Sequence, residues 1–346
     1  MTNRYTHVRR LPAEWEPHGA VLMAWPHADT DWAYMLDEVI DCYVRIADAI
    51  VREARLVMVG PDLEDARRRL AHIPDDRILF ADVRTNDTWA RDFGPVTLFV
   101  DGKPVIADFQ FNGWGLKFAS CFDNLVTSAL IEQGILTGGY ENRRGFVLEG
   151  GSIESDGEGT MLTTAECLLS PNRNAGMDVG QIESYLKETF GLNRILWLHN
   201  GALAGDDTDS HTDTLARLAP DHTIVYTATD RRDDPHYEPL QAMKQEISRF
   251  TAPDGKPYRM VELPLPEAVY DEDGLRLPAT YVNYLIIGNS VLMPVYAQPQ
   301  YDEAAIASLQ TAFPNHNIVP VDCRALIRQH GSLHCVTMQL PNEILA

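Results

Sequence analysis

The chain has 346 residues, 45% of them hydrophobic and 9% aromatic, and its 29 Lys and Arg against 50 Asp and Glu leave a net charge of −21 at pH 7. That apolar fraction is ample for a large core and excludes general disorder, and no run approaches the ~18 apolar residues of a membrane-spanning helix. The negative field excludes nucleic acid as the expected partner, because phosphates are held by clustered Lys and Arg, and it favours small cations.

The stretch MTNRYTHVRRLPAEWEPHG is polar where a secretory signal needs an apolar core, so the expected location is cytoplasmic, with no membrane partner. Next comes an amphipathic helix over residues 37–53, whose Val39, Ile40, Tyr43, Val44, Ala47, Ile50 and Val51 share one face. Short β-branched runs at 56–59, 105–111 and 146–153 read as buried strands. They are followed by a helix at 179–190, strands at 195–198 and 223–227, and a helix at 238–250. Residues 253–278, rich in Pro, Gly and charge, read as a surface excursion. Beyond them lie a strand pair over 281–295 around the Gly288-Asn289 turn, a helix at 302–313 and a strand at 318–321. Strands alternating with single helices define an α/β protein, and without a low-complexity linker residues 1–346 are expected to form one domain.

Five polar, glycine-bearing segments interrupt this pattern near strand ends, where a scaffold fixes position and a loop frees the side chain. They are Asn86-Asp-Thr-Trp-Ala-Arg-Asp-Phe-Gly-Pro95, Phe111-Asn-Gly-Trp-Gly115, Leu148-Glu-Gly-Gly-Ser-Ile153, Gly205-Asp-Asp-Thr-Asp-Ser-His-Thr-Asp213 and His330-Gly-Ser-Leu-His-Cys335. Trp89 three residues before Asp92 makes a receptor for a planar cation, one stacking and the other accepting N–H bonds. The bland alternative is an Arg91–Asp92 ion pair beside a core Trp. Asp207, Asp209, His211 and Asp213 alternate, which in extended chain sets them on one side; this admits a metal site, an acid/base histidine with a binding carboxylate, or a solvated turn. An EF-hand is excluded, because Thr212 and Leu218 stand where Gly and Glu are required. Glu149, at the edge of a buried run, needs a cation or histidine as partner, and its two glycines permit close backbone approach. A carboxylate bonded to His211 would fix its tautomer and raise its pKa. The five cysteines, Cys42, Cys121, Cys167, Cys323 and Cys335, form no C-x-x-C pair, so neither zinc nor a disulfide framework is indicated. Cys335 would need a nearby cation to become a thiolate, and a bound guanidinium could supply it.

Taken together, these segments resemble the agmatine deiminase and bacterial peptidylarginine deiminase family of guanidino-group-modifying enzymes. The resemblance runs from Leu11-Pro-Ala-Glu-Trp-Glu-Pro17 through Asn86-Asp-Thr-Trp-Ala-Arg-Asp92, Glu149-Gly-Gly-Ser-Ile153 and His211-Thr-Asp213 to His334-Cys335. It implies a five-bladed α/β propeller of pseudo-fivefold ββαβ modules, the pentein fold, with the site on its axis. It also implies hydrolysis of agmatine to N-carbamoylputrescine and ammonia, in putrescine biosynthesis, without cofactor or metal; a homodimer is compatible with it. By the same resemblance Cys335 is the nucleophile and His211 the acid/base. Asp92 and Asp213 grip the guanidinium, Glu149 steadies His211, and Trp89, Trp114 and Asn283 line the substrate pocket. The chain departs from the family pattern at Gln329, His330, Gly331 and Ser332, where a triple glycine is usual, and at Ser210, where glycine is usual. Both departures bear on the substrate's tail. Peptidyl or free arginine, whose carboxylate Lys117, Arg143 or Arg173 could meet, is therefore the nearest rival. An amidino transferase, a metal-dependent hydrolase on the acidic loop and a silent binding protein complete the alternatives.

Overall fold

The computed structural model describes residues 8–346; the first seven residues of the polar N-terminal stretch lie outside them. Among the described residues, five sheets share one connectivity. In each, an antiparallel pair is followed by a helical crossover to a parallel strand. The pairs are Met338–Leu340 with Ala20–Ala24, Val96–Val100 with Lys103–Gln110, Ile153–Ser155 with Thr160–Thr164, Ala216–Ala219 with Thr223–Ala228, and Leu285–Ile287 with Ser290–Val295. The respective parallel strands are Arg55–Gly60, Gly139–Val147, Arg194–Leu198, Arg259–Pro264 and Asn317–Asp322. The crossovers carry the helices Leu36–Ile50, Val126–Glu132, Val179–Phe190, Tyr237–Ile247 and Pro299–Ala312. None of the described helices is long and apolar enough to cross a membrane.

The helices form where their periodicity demands. Leu36–Ile50 buries Val39, Ile40, Tyr43, Ile46, Ala47 and Ile50 against neighbouring strands, each large side chain contributing about 1.5–3 kcal/mol. Val179–Phe190 starts at a capping box, with Asp178 and Gln181 each accepting the other's backbone N–H, and stops at Gly191 in the left-handed region. A Cβ at 191 would lie 2.0 Å from the Arg9 carbonyl oxygen.

Three expectations change. The run 146–153 is no continuous strand: it ends at Val147, passes Glu149 and a tight turn at Gly150–Ser152, and resumes as Ile153–Ser155. The break turns the Glu149 carboxylate inward. Likewise, residues 281–284 form a turn and the strand begins only at Leu285. The supposed excursion 253–278 holds the strand Arg259–Pro264 and a hairpin of Val269–Tyr270 with Arg276–Leu277; its charged residues sit on the solvent side of an edge strand.

The connectivity positions the site. Asp92 precedes the first strand of its sheet by four residues, as does Glu149; Asp213 and Cys335 precede theirs by three and Asn283 by two. Five sheets thus deliver their polar segments from equivalent places.

Candidate active site

Cys335 is buried, and its Sγ lies 3.2 Å from Asn283 Nδ2 and 3.8 Å from Asp213 Oδ2. Asn283 joins two segments: its Nδ2 donates to the Asp213 carbonyl (3.2 Å), and its Oδ1 accepts from the His334 backbone N–H (2.9 Å). Asp213 is fully buried. Its Oδ2 accepts from His334 Nδ1 (2.8 Å), while Oδ1 has no hydrogen-bond partner among the described residues.

Opposite stands Asp92, whose Oδ2 accepts from Trp114 Nε1 and whose Oδ1 accepts from Gly151 N, each at 2.9 Å. His211 places Nε2 3.2 Å from Glu149 Oε2; its Nδ1 lies 3.7 Å from Asp92 Oδ1 and makes no hydrogen bond. Glu149 receives Arg173 Nε at 2.8 Å, and both side chains are fully buried. A Cβ at Gly151 would come within 2.7 Å of His211 Nδ1 and 2.9 Å of both Asp213 Oδ2 and Asp92 Oδ1. The missing side chain at 151 therefore marks the point on which three polar groups converge. Gly150 is equally constrained, its absent Cβ falling 2.2 Å from the Arg91 carbonyl oxygen.

Burial and electrostatics sort these groups. Against its burial, Asp92, Cys167 and Glu149 lift the His211 imidazole well above its usual range, so it is an imidazolium at neutral pH. Burial pushes Asp92 up to about 6, with Asp213 and Glu149 adding to the effect. Despite burial, His334, His211 and Arg217 hold Asp213 below the usual carboxylate range, and His211 and Arg173 do the same for Glu149. The Cys335 thiol is pushed well up by burial and then by Asp213 and Asp92. At rest it is a thiol; a cation between the aspartates reverses the charge that opposes ionisation.

Above this floor opens a pocket lined by Trp89, Trp114 and Phe118, with Asp31, Asp87 and Asp207 around it and Gln329, His330 and Gly331 closing one side. Trp89 packs on Trp32, ring centres 5.7 Å apart, and Gly331 lies flat on the Trp89 ring, where a Cβ would clash at 2.1 Å. Trp114 reaches Asp92 from a run, Gly113–Leu116, in which Gly113, Trp114, Gly115 and Leu116 all have φ between 54° and 82°. For Trp and Leu this backbone is strained, and such strain gathers at functional sites.

All eight residues expected at the site are brought together, but two accompanying expectations fail. The acidic loop is not extended, since Asp209 and Ser210 are left-handed; Asp209 turns away to Lys117 and Arg173. The cations offered to a substrate carboxylate are all engaged: Arg173 by Glu149 and Asp209, Arg143 by Glu141, Lys117 by Asp209. Arg91 and Asp92 form no pair either, as Arg91 runs to Glu14 (2.9 Å). Among the described residues two groups could offer a cation several ligand atoms, Glu149 with Cys167 and His211, and Glu14 with Glu154 and His334. In both, guanidiniums already sit on the carboxylates, Arg173 in the first and Arg91 and Arg217 in the second, and their charge opposes a metal ion. Sequence reasoning gave no role to Glu14, Arg217 or His334, and offered Arg173 only to a substrate carboxylate. Their partners are 24 to 320 residues away, and only the capacity of a buried charge to demand an opposite one hinted at them.

A family profile, that of the Porphyromonas-type peptidyl-arginine deiminases, matches residues 10–341. The chain belongs to this family. Among relatives in it, an agmatine deiminase of Medicago truncatula is 31% identical, covering 97% of both chains. A crystal structure from Porphyromonas gingivalis, provisionally named an arginine deiminase, is 51% identical with a TM-score of 0.92, covering 98% of this chain and 100% of that one. A cysteine-to-serine variant of C. jejuni agmatine deiminase with substrate bound is 37% identical with a TM-score of 0.91, covering 98% of each.

Proposed function

We propose that this family member is an agmatine deiminase, a hydrolase that turns the guanidinium of agmatine into a urea and releases ammonia. The observation that carries the reading is a pocket with carboxylates at both ends: Asp92 and Asp213 beside Cys335 below, Asp31, Asp87 and Asp207 above, and, among the described residues, neither Lys nor Arg in its lining. Agmatine carries a cation at each end. Arginine would set its carboxylate against the upper aspartates. The repeated sheet connectivity supports the five-bladed propeller as the architecture, in one domain over residues 1–346 with the site on its axis.

In this reading Asp213 Oδ1 and the Asp92 carboxylate accept N–H bonds from the planar cation, each worth about 1.5–3 kcal/mol, and hold its carbon beside Cys335 Sγ. The bound charge lowers the pKa of the thiol, whose proton passes to water in the pocket, and the thiolate adds to the guanidinium carbon. His211, an imidazolium whose Nδ1–H faces the site, donates that proton to the departing nitrogen, which leaves as ammonia. A covalent thiouronium remains. The now neutral His211 takes a proton from water as its oxygen attacks, and collapse expels the Cys335 sulfur and yields N-carbamoylputrescine. Glu149, itself anchored by Arg173, keeps Nε2 occupied so that Nδ1 does the proton transfer. The protein is expected to act in the cytoplasm, with neither metal nor cofactor in these steps.

The name of the P. gingivalis neighbour favours arginine as a second reading. Ammonia release from agmatine, free arginine and a peptide ending in arginine separates the two. We expect kcat/KM for agmatine to exceed the others at least a hundredfold; preference for either arginine substrate sinks the agmatine reading and leaves the guanidinium chemistry standing.

A further inference from the structure

His334, next to the nucleophile, has no part in the chemistry just described, yet it is fully buried between two carboxylates. Its Nδ1 lies 2.8 Å from Asp213 Oδ2, and its Nε2 lies 2.9 Å from both oxygens of Glu14. Glu14 is itself anchored from behind by Arg91 at 2.9 Å, by Gln339 at 3.1 Å and by Arg217, which also pairs with Glu154. Each of the two imidazole contacts needs one proton between nitrogen and oxygen, so Glu14, His334 and Asp213 form one hydrogen-bonded chain. Against their burial, Arg91, His334 and Arg217 hold the Glu14 carboxyl well below the usual carboxylate range, and His334, His211 and Arg217 hold Asp213 below it. Burial, Arg217 and Arg91 hold the imidazole below its usual range against the pull of Glu14 and Asp213, so it is the pair of contacts that fixes the ring.

We propose that His334 is a positioning residue: clamped by Glu14, it pins Oδ2 of Asp213 and thereby aims Oδ1, the oxygen without a partner, at the guanidinium beside the Cys335 thiol. This rests on the reading of Asp213 as a guanidinium ligand. A plain core histidine would need one hydrogen bond and would not place its second nitrogen on the site's own carboxylate.

The test uses two substitutions that keep different halves of the ring. Asn puts an amide N–H near the Nδ1 position and can still hold Asp213; Gln puts one near Nε2 and reaches only Glu14. With agmatine as substrate, we expect His334→Asn to keep KM within about threefold of wild type, and His334→Gln to raise it at least tenfold (about 1.4 kcal/mol) at a similar melting temperature. Equal KM values for both variants and wild type, with activity lost only in step with folded protein, overturn the proposal. If neither histidine variant folds, Glu14→Gln decides: a raised KM in folded protein supports the clamp, and an unchanged one removes it. A wild-type chain that releases no ammonia from any guanidine overturns the reading of the site and this inference with it. An active wild type with KM unmoved in His334→Gln overturns the inference alone.

Discussion

The floor of the pocket and its mouth are both acidic, yet they hold their charges in opposite ways. On the floor every carboxylate is tied: Glu149 to Arg173 and His211, Asp213 to His334, Asp92 to Trp114 and Gly151. At the mouth Asp31 is exposed, and Asp87 and Asp207 are partly exposed and carry no guanidinium. Burial, with help from Asp31 and Asp207, pushes Asp87 up to about 7, and burial raises Asp207 as well. A charge fixed in advance stabilises a transition state without reorganisation, whereas one that forms when its partner arrives mainly selects the partner. In the proposed reading the floor accordingly carries the reaction and the mouth carries the choice of substrate.

The sharpest way to break this division is at the thiol. Cys335→Ala should abolish ammonia release, while agmatine still binds within a few-fold of the wild-type affinity by calorimetry; residual turnover above a few per cent would remove the covalent route. Next is Asp92→Asn, which uncouples a buried charge from the substrate and should cost about 3–5 kcal/mol, at least a hundredfold in kcat/KM. Gly151→Ala removes no reacting group but presses a methyl against His211 Nδ1, Asp213 Oδ2 and Asp92 Oδ1 and forces them apart; displacement near 1 Å predicts a loss of about a hundredfold, with the melting temperature reporting whether the fold survives. The pH dependence separates the two regions. Asp92 is ionised above about 6, so agmatine KM should climb as pH falls through that value, and the bound cation should move the corresponding limb of kcat to lower pH. The smallest effect belongs to the mouth. Asp87→Asn should raise the KM for agmatine two- to fivefold, in keeping with a partly solvated ion pair of about 1 kcal/mol or less, and leave kcat alone. An equal fall in kcat would place Asp87 with the floor.

Much of the floor could be read from the chain because its chemistry demands rare residue types in short strings. Trp89-Ala-Arg-Asp92 and His211-Thr-Asp213 each carry two functional groups within four residues, and the two glycines after Glu149 stood out as places of close approach, as Gly150 and Gly151 proved to be. Four of the five crossover helices were legible from their periodic apolar faces, and Val126–Glu132 was not. The strand Arg259–Pro264 was hidden because it is an edge strand that wears charge on one side, and residues 281–284 because Val282, Tyr281 and Tyr284 are apolar in a turn. The Glu14–His334–Asp213 chain could not be read at all: its members are joined across 121 and 320 residues. Nor does any local propensity foretell Trp114 in a left-handed conformation; the bond from its Nε1 to Asp92 comes from the tertiary structure.

The pairing of Met338–Leu340 with Ala20–Ala24 also bears on the order of folding. It joins strands more than three hundred residues apart, and Cys335 stands three residues before it. Closing so long a loop is the slowest kind of contact to make, so Cys335, the proposed nucleophile, takes its place only when the two ends of the chain meet. A partly folded chain can have its aspartates gathered and still be unable to attack, and on refolding, the recovery of ammonia release should trail the recovery of helix content.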